Sequence, residues 1–391
     1  MAPGVKLSIF VSAECNLSFI MEKSNNSEIV ISHDWIEKFG GAEKVLFQFL
    51  NAFPGAQLVT LWQEKESLAE FPRATELIPR PNALRRRKAL VMPLMPLVWR
   101  RYPVQESTDL IICSSHLFAH FIRNVSRKGR VIPKYIYVHT PARYMWVPEL
   151  DRRGNSLPAR LASYYLKKLD RRIARESTSI AANSEYIRTR ILDCWGLESV
   201  VVYPPVQTAF FKQFSKLKPN QLAEAIGIEP GFVLAASRFV NYKQLDLVIR
   251  AAAIADKRLV VAGQGPEEKR LRQLAKDLGV DIHFVIAPEK EKLGALYAAA
   301  SVFVFPSVED FGIMPVEAMA AGTPVIVNEE GGASESVVVG KTGLTFQNGS
   351  LDSLVAALST SHPFTKSDCI DQAESFGEQR FRDEIVQWIK P

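Results

Sequence analysis

Short apolar runs alternate with longer amphipathic stretches along almost the whole chain, the pattern of β-α units wound around a parallel sheet. Glu28–Ser32 (EIVIS) reads as a buried strand. It leads through HDWIEKFGG into a helix expected from Ala42 to Asn51, whose apolar positions Val45, Leu46, Phe49 and Leu50 fall on one face. Further strands are expected at Ala56–Thr60, Leu110–Cys113, Tyr135–His139, Ser179–Ala182 and Ser199–Val202. The alternation pauses at Tyr203-Pro204-Pro205-Val206 and a polar stretch from Lys212 to Asn220, a break that predicts a domain boundary. It restarts at Phe232–Ala236 and continues through Arg258–Ala262, Ile282–Val285, Val302–Phe305 and Pro324–Val327. Phe381, Ile385, Trp388 and Ile389 predict an amphipathic helix over the final segment, Gly377 to Lys390. Two doubly wound α/β domains place ligands at the carboxyl ends of their strands, so motifs that carry chemistry should follow strands directly.

A chain of 391 residues is long for one core and comfortable for two. Its net charge of +6 conceals an asymmetry. Residues 1–205 hold 29 Lys and Arg against 19 Asp and Glu, a net +10, and residues 206–391 hold 19 against 23, a net −4. A basic front half and an acidic back half point to different partners for the two domains. The four cysteines, Cys15, Cys113, Cys194 and Cys369, are far apart and form neither a disulfide framework nor a zinc motif, which favours a reducing compartment. The longest apolar candidate, Ala89 to Trp99, holds two prolines and is far short of the ~20 residues a membrane span needs. Residues 1–20 have one lysine and no clear cleavage site, so a signal peptide is not expected. They read as an upstream extension or a mis-set start ahead of Met21, or about as well as a loose N-terminus.

The most informative stretch is VFVFPSVEDFGIMPVEAMAAGTPVIV. A strand at Val302–Phe305 should pass through the loop Glu309-Asp310-Phe311-Gly312-Ile313-Met314 into a helix expected to begin at Pro315 and to stop at Gly322. The amides of Gly312, Ile313 and Met314 would then sit at a helix N-terminus, a ready site for a phosphate or a sugar hydroxyl. Glu309, from the loop, and Glu317, from the first helical turn, can accept hydrogen bonds from vicinal hydroxyls. Two glutamates at this spacing occur by chance about once in such a chain; their setting between two strands is what singles them out.

Here the sequence resembles glycosyltransferase family 4, the retaining enzymes with the GT-B fold, through its E-x7-E signature within EDFGIMPVEAMAAGTPVI. The resemblance covers about residues 28–390. It implies two Rossmann-like doubly wound domains facing a central cleft: an acceptor-binding domain over 28–205, a nucleotide-sugar-binding domain over 206–375, and a terminal helix over 376–391 that packs back on the first. It also implies that Glu309 touches the transferred sugar, Glu317 holds the donor ribose, and the amides and Phe311 between them lie along the donor.

Arg238 and Lys243 follow the first strand of the second domain, where two cations suit a diphosphate, one as a fork and one as a point charge. The family's R-x4-K pattern implies that they neutralise the leaving nucleotide diphosphate. Gly40-Gly41 precedes a helix after the first strand, where the backbone can approach a ligand closely. The resemblance implies contact with the donor phosphate or the acceptor. Gly263, in AGQGP, lies in a loop that packs near the nucleotide in the family; without a third glycine it does not suit NAD. The next strand, in FVIAPEKEKL, lacks the glycine usual at its end and leaves the base open. YVHTPARYMW resembles the mannosyltransferase branch, which implies that His139 approaches the donor sugar and that Arg143 and Tyr144 line the acceptor path.

Arg85, Arg86, Arg87 and Lys88, with Arg100 and Arg101, flank an apolar segment that contains Trp99. This fits either an anionic membrane interface or a core helix with a solvated basic end. The first reading brings a polyprenyl-diphosphate-linked acceptor, met by Arg85–Lys88, and a peripheral place on the inner face of the cytoplasmic membrane. No DxD-like or zinc motif is seen, so neither a metal nor a separate cofactor is expected: the leaving diphosphate would be stabilised by Arg238, Lys243 and helix amides. The resemblance implies transfer on one face of the sugar, with the donor phosphate helping to deprotonate the acceptor. Together the motifs resemble GDP-mannose-using enzymes of O-antigen or surface polysaccharide synthesis, with a UDP-hexose-using relative as the alternative. A nucleotide-sugar 2-epimerase would share the architecture but not this residue set. No nucleic-acid partner is expected, since no RNA- or DNA-binding motif accompanies the basic half.

Overall fold

The structure is a computed structural model that describes residues 28–37, 40–78, 91–146, 157–360 and 363–389, without the side chains of Tyr144 and 157–163. Residues 1–20 and the Arg85–Lys88 cluster lie outside the described residues. The chain divides into two compact units. The first holds the described residues up to Asn183 together with 187–201 and those from Ile385 on; the second holds 184–186 and 202–384.

The first unit is built on a seven-stranded sheet ordered β3-β2-β1-β4-β5-β6-β7. Its strands are β1 (Glu28–His33), β2 (Gln57–Thr60), β3 (Thr75–Glu76), β4 (Thr108–Ser115), β5 (Lys134–Val138), β6 (Ser179–Ala182) and β7 (Val200–Val201). Every pairing is parallel, with Ile31 opposite both Leu58 and Ile112, and Cys113 opposite Ile136. Helices cover such a sheet on both faces, so its strands carry unbroken apolar runs: Ile111, Ile112 and Cys113 are all fully buried. Three helices of this unit matter below: α1 (Gly41–Ala52), α2 (Met95–Arg101) and α3 (Leu157–Ala174).

The second unit carries a six-stranded parallel sheet ordered β10-β9-β8-β11-β12-β13. The strands are β8 (Val233–Ala236), β9 (Leu259–Gly263), β10 (Ile282–Ile286), β11 (Val302–Phe305), β12 (Val325–Asn328) and β13 (Gly343–Phe346). Strand alternation sorts its core into two layers. Phe232, Leu234, Phe303 and Phe305 pack with Val316 and Met319 on one face. Val233, Ala235, Val261 and Val304 pack with Val248 and Ile249 on the other. Its helices include α4 (Leu245–Ile254), α5 (Lys290–Ala299), α6 (Ile313–Ala320) and α7 (Glu378–Trp388). The residues of α7 from Ile385 on belong to the first unit, where the Trp388 indole donates to Ser179 Oγ at 2.9 Å and meets the Tyr135 ring edge-on.

Burial decides between the two readings of the Trp-bearing segment after the basic cluster. Met95 and Trp99 in α2 are fully buried and Tyr102 nearly so. The helix packs on the turn at Ala119–Phe121, and Arg100 donates to Glu176 at 2.7 Å. Glu176 also pairs with the buried Lys134 at 3.2 Å. Trp99 therefore belongs to the core, the second of the two readings of this segment, and its ring contributes nothing to the surface.

Candidate functional site

In each sheet the strand order reverses between two neighbours, β1 and β4 in the first unit and β8 and β11 in the second. At such a point the connecting loops diverge and leave room at the carboxyl ends of the strands. Most of the described candidate residues follow these strands or begin the helices after them.

In the second unit, Lys243 and Glu309 leave the ends of β8 and β11 and form an ion pair, with side chains 12% and 21% exposed. The Lys243 ammonium also lies 5.7 Å from the centre of the Phe305 ring. Arg238 is exposed and donates to the Tyr242 hydroxyl at 2.5 Å. Two cations and one carboxylate thus share this edge, and a ligand bearing a diphosphate and hydroxyls could engage both kinds of group.

Glycines shape the loop after β11. Gly312 caps α6 in the left-handed conformation, φ 85°, and a Cβ there would come within 2.8 Å of Ala333 Cβ. Helix α6 begins at Ile313, two residues earlier than expected, because Gly312 makes the turn and Pro315 falls inside the first turn. Glu317 therefore sits in the second turn, not the first. It is 4% exposed and accepts a long hydrogen bond, 3.4 Å, from Tyr297 in α5. Burial, together with the Glu317 carboxylate, pushes the Tyr297 phenol well above its ordinary range, so this hydroxyl stays a donor. Phe311 departs further from expectation. Its ring is buried against Tyr203 and Phe376, both 5.6 Å away, so its side chain serves the core and leaves only backbone for a ligand. Ile313 and Met314 also pack partly on that core.

Gly263 has a structural requirement of its own. Its φ is 137°, and a Cβ would stand 1.8 Å from the Ser237 carbonyl oxygen. The loop after β9 lies backbone to backbone on the loop after β8, with Phe239 N–H donating to the Gln264 carbonyl at 2.8 Å. Ala287, directly after β10, adopts φ 45°, a left-handed conformation that favours glycine, at the end of the strand where the family usually has one.

Sequence reading missed the partner of the Glu309 loop. Gly332 N–H donates to the Glu309 carbonyl at 2.8 Å, and a Cβ on Gly332 would stand 2.1 Å from the Asp310 carbonyl oxygen. Gly331-Gly332 follows β12 after two glutamates, as Gly40-Gly41 follows the loop after β1, and that position was the available signal.

In the first unit, Gly40 caps α1, and its N–H donates to Glu43 Oε2 at 3.2 Å. His139, just after β5, is nearly buried. Its Nε2 lies 2.8 Å from Ser114 Oγ, and the same hydroxyl lies 3.0 Å from Nδ1 of the fully buried His33. Burial, reinforced by His116, lowers the His139 pKa to about 3. Burial, with His116 and His139 nearby, also holds His33 well below the usual histidine range. Both imidazoles are therefore neutral near pH 7 and suit hydroxyls better than anions. His33 and His116 complete an aromatic cluster with His139, their ring centres 5.5 to 6.3 Å apart. The buried Asp34 accepts backbone N–H groups of His116, Leu117 and Phe118 at 2.7 to 2.9 Å. His33, Asp34 and His116 were not singled out from sequence, although a His-Asp pair directly after a buried strand could have marked them. Arg143 begins the turn Arg143–Trp146, which Asp170 holds by accepting the Trp146 indole N–H at 2.8 Å. Asp170 also accepts from Trp195 at 2.6 Å and lies 2.9 Å from His120 Nε2, whose Nδ1 lies 2.9 Å from Ser115 Oγ. This Ser-His-Asp line is a structural clamp, because Ser115 is 2% exposed. Among the described residues, no group of three or more His, Cys, Asp or Glu is arranged to hold a metal ion.

Comparison with known proteins agrees with this geometry. Residues 39–210 match the family model "Glycosyltransferase Family 4" and residues 221–361 match "Glycosyl transferases group 1". A GDP-mannose-dependent alpha-(1-6)-phosphatidylinositol monomannoside mannosyltransferase of Mycolicibacterium smegmatis is 32% identical over 48% of this chain and 54% of its own length. A D-inositol 3-phosphate glycosyltransferase of Kribbella flavida is 29% identical over 68% of each chain. The match thus spans about half the length of the first of these relatives. Among solved structures, Anabaena HepE in complex with UDP superposes with a TM-score of 0.69 at 21% identity, over 93% of this chain and 99% of its own. WaaG, a glycosyltransferase involved in lipopolysaccharide biosynthesis, gives 0.63 at 17%, over 93% and 99%. These likenesses identify the GT-B fold. With its two sheets and two adjoining family matches, the chain belongs to the group 1 and family 4 glycosyltransferases.

Proposed function

We propose that the protein is a retaining glycosyltransferase that moves a hexose, mannose from GDP-mannose, onto a lipid-linked or glycan acceptor in surface polysaccharide or glycolipid synthesis. The observation that carries this reading is the Lys243–Glu309 pair at the ends of β8 and β11, beside Arg238 and the amino end of α6. On this reading the donor's diphosphate takes Lys243 and Arg238, and Glu309, released from its cation, accepts hydroxyls of the sugar. The two cations and the first amides of α6 then stabilise the charge that develops on the leaving diphosphate. Glu317, buried and steadied by Tyr297, holds the ribose. His139, kept neutral, approaches the donor sugar, and Arg143 and Tyr144 line the acceptor path. Transfer proceeds on one face of the sugar without a metal, the donor phosphate helping to take the acceptor proton.

What supports mannose is the naming of the M. smegmatis relative as GDP-mannose-dependent. A UDP-hexose donor is the second reading, favoured by the UDP held in HepE. A lipid-linked acceptor would place the enzyme on the inner face of the cytoplasmic membrane. The test is thermal unfolding with GDP, UDP, ADP, dTDP, GDP-mannose and UDP-hexoses in the absence of metal. A nucleotide at a hundred times its dissociation constant adds about 2.7 kcal/mol. Stabilisation by GDP and GDP-mannose alone is the expected result. A response to UDP species would overturn the mannose assignment, and no response to any nucleotide would overturn the enzyme reading.

A further inference from the structure

Neighbouring strands of the first sheet place a serine hydroxyl between two imidazoles. His33 ends β1 and stands opposite Ser114 in β4. On the other side Tyr137 in β5 stands opposite Ser114, and His139, two residues further on, projects from the same face. The Ser114 hydroxyl lies 3.0 Å from His33 Nδ1 and 2.8 Å from His139 Nε2. Ser114 and His33 are both fully buried. The His139 backbone is held at both of its polar groups. Its N–H donates to the Ser115 carbonyl at 2.9 Å, and its carbonyl accepts from Asn183 Nδ2 at 3.0 Å. Its ring meets the Tyr137 ring edge-on at 5.2 Å. His139 Nδ1 has no hydrogen-bond partner among the described residues and is not sealed from solvent, so it is the nitrogen open to a ligand.

A neutral imidazole has one N–H and one bare nitrogen, and a hydroxyl has one proton to give. Three arrangements of the protons remain. If both rings donate to Ser114 Oγ, the hydroxyl proton has no acceptor in a fully buried place. If the hydroxyl donates to His33, both rings carry their proton at Nε2. His33 Nε2 is buried and has no hydrogen-bond partner among the described residues, so this arrangement strands an N–H. If the hydroxyl donates to His139, His33 donates through Nδ1 and only the lone pair of its Nε2 is unmatched. Orphaned buried N–H groups are rarer than under-satisfied acceptors, and an unmade bond to a buried donor is costly. The Ser114 backbone acts in the same sense, hydrogen-bonding the protonated His33 ring. The third arrangement is therefore favoured, with both rings protonated at Nδ1.

We propose that Ser114, directed by His33, is a positioning residue that fixes the tautomer of His139, so that His139 meets the donor sugar as a hydrogen-bond donor through Nδ1. This rests on the reading that His139 approaches that sugar, and adds the direction of the bond. It bears on substrate choice. An N–H needs only a lone pair, so a hydroxyl or an ether oxygen of the sugar satisfies it and a deoxy carbon does not.

The first test needs no ligand. In the full chain with nitrogen-15-labelled histidine, long-range proton–nitrogen correlation spectra read which ring nitrogen holds the proton. Signals lost in His33→Gln and His139→Gln assign these two among the six histidines. Both rings are expected as Nδ1–H tautomers at pH 7, against the Nε2–H form that free neutral histidine prefers. Ser114→Ala should return His139 to Nε2–H, whereas Ser114→Thr, which keeps the hydroxyl, should hold it at Nδ1–H. The second test compares a nucleotide sugar with its nucleotide by calorimetry, GDP-mannose against GDP and UDP-glucose against UDP. Ser114→Ala should weaken the nucleotide sugar about ten-fold and leave the nucleotide unchanged, and Ser114→Thr should restore the difference. Wild-type His139 protonated at Nε2 would overturn the proposal. So would Ser114→Ala that keeps the Nδ1–H form, or that weakens sugar-bearing and sugar-free ligands equally. Wild type that binds neither pair would strike the enzymatic reading instead, and the tautomer, read without ligand, would still stand or fall on the spectrum.

Discussion

The two switch points of the molecule have the same strand topology and opposite chemistry. Between β1 and β4 the anion, Asp34, is fully buried and accepts three backbone amides, and His33 and His139 at the same edge are held neutral by burial. Between β8 and β11 the anion, Glu309, is partly open and bonded to a cation that a ligand can take from it. The loops after β1 and β4 are joined by a side chain, whereas those after β8 and β11 are each held by the backbone of a neighbouring loop, at Gly263 and Gly332. A carboxylate whose partners are amides of its own fold cannot exchange them, whereas one paired with a lysine side chain can. The difference separates a scaffold from a site that a charged ligand can enter.

The largest effect should come from breaking the exchangeable pair. Lys243→Met should lower kcat for transfer by about 10²–10³-fold, measured with saturating nucleotide sugar, since it removes one stabiliser of developing charge. Far-UV circular dichroism should remain that of wild type, and an unchanged kcat would remove the distinction drawn here. Next come the backbone contacts. Gly332→Ala and Gly263→Ala push a Cβ into carbonyl oxygens and should each destabilise the second unit by about 3 kcal/mol in chemical denaturation, with transitions confined to the second unit strengthening the contrast.

A third test addresses the neutral imidazoles. The folded His33 and His139 bind protons more weakly than their unfolded counterparts. Their contribution is complete above the unfolded histidine pKa, near 6.5, and is lost as pH falls toward about 3, the folded value for His139. Thermal unfolding between pH 7 and 4 should show the first unit losing on the order of a few kcal/mol, and His33→Phe should flatten that dependence. The smallest effect belongs to the helix cap that follows β13, the outermost strand of the second sheet. Ser350 caps the helix Leu351–Ser359 by accepting from Ser353 N–H at 3.2 Å. Ser350→Ala should cost about 1 kcal/mol, a downward shift of roughly 2–4 °C, without touching transfer.

What the sequence made legible follows the range of the interactions. β6 and β11 fall where apolar runs place them, since a buried parallel strand is written in four consecutive residues. β3 and β13 went unread because two residues of TE and the half-apolar GLTF carry too little signal, their strand state coming from the neighbour they pair with. Glu309, Lys243 and Arg238 were found because each lies within a local motif next to a strand. Asp34 and Gly332 were not, because each acts on backbone elsewhere in the chain: Asp34 on a loop more than eighty residues away, Gly332 on the loop before α6. Trp99 was open to two readings because an apolar run beside arginines has the same composition at a bilayer and in a core. Packing on Ala119–Phe121 decides it.

Asp170 gathers the indole N–H groups of Trp146 and Trp195 on one carboxylate oxygen. Indole emission shifts with the field and hydrogen bonding at its nitrogen, so two fluorophores share one reporter atom. One of them closes the turn that begins at Arg143. Any event that loosens that turn should therefore be visible in the protein's own fluorescence, at the wavelength of two tryptophans changing together, with no label attached.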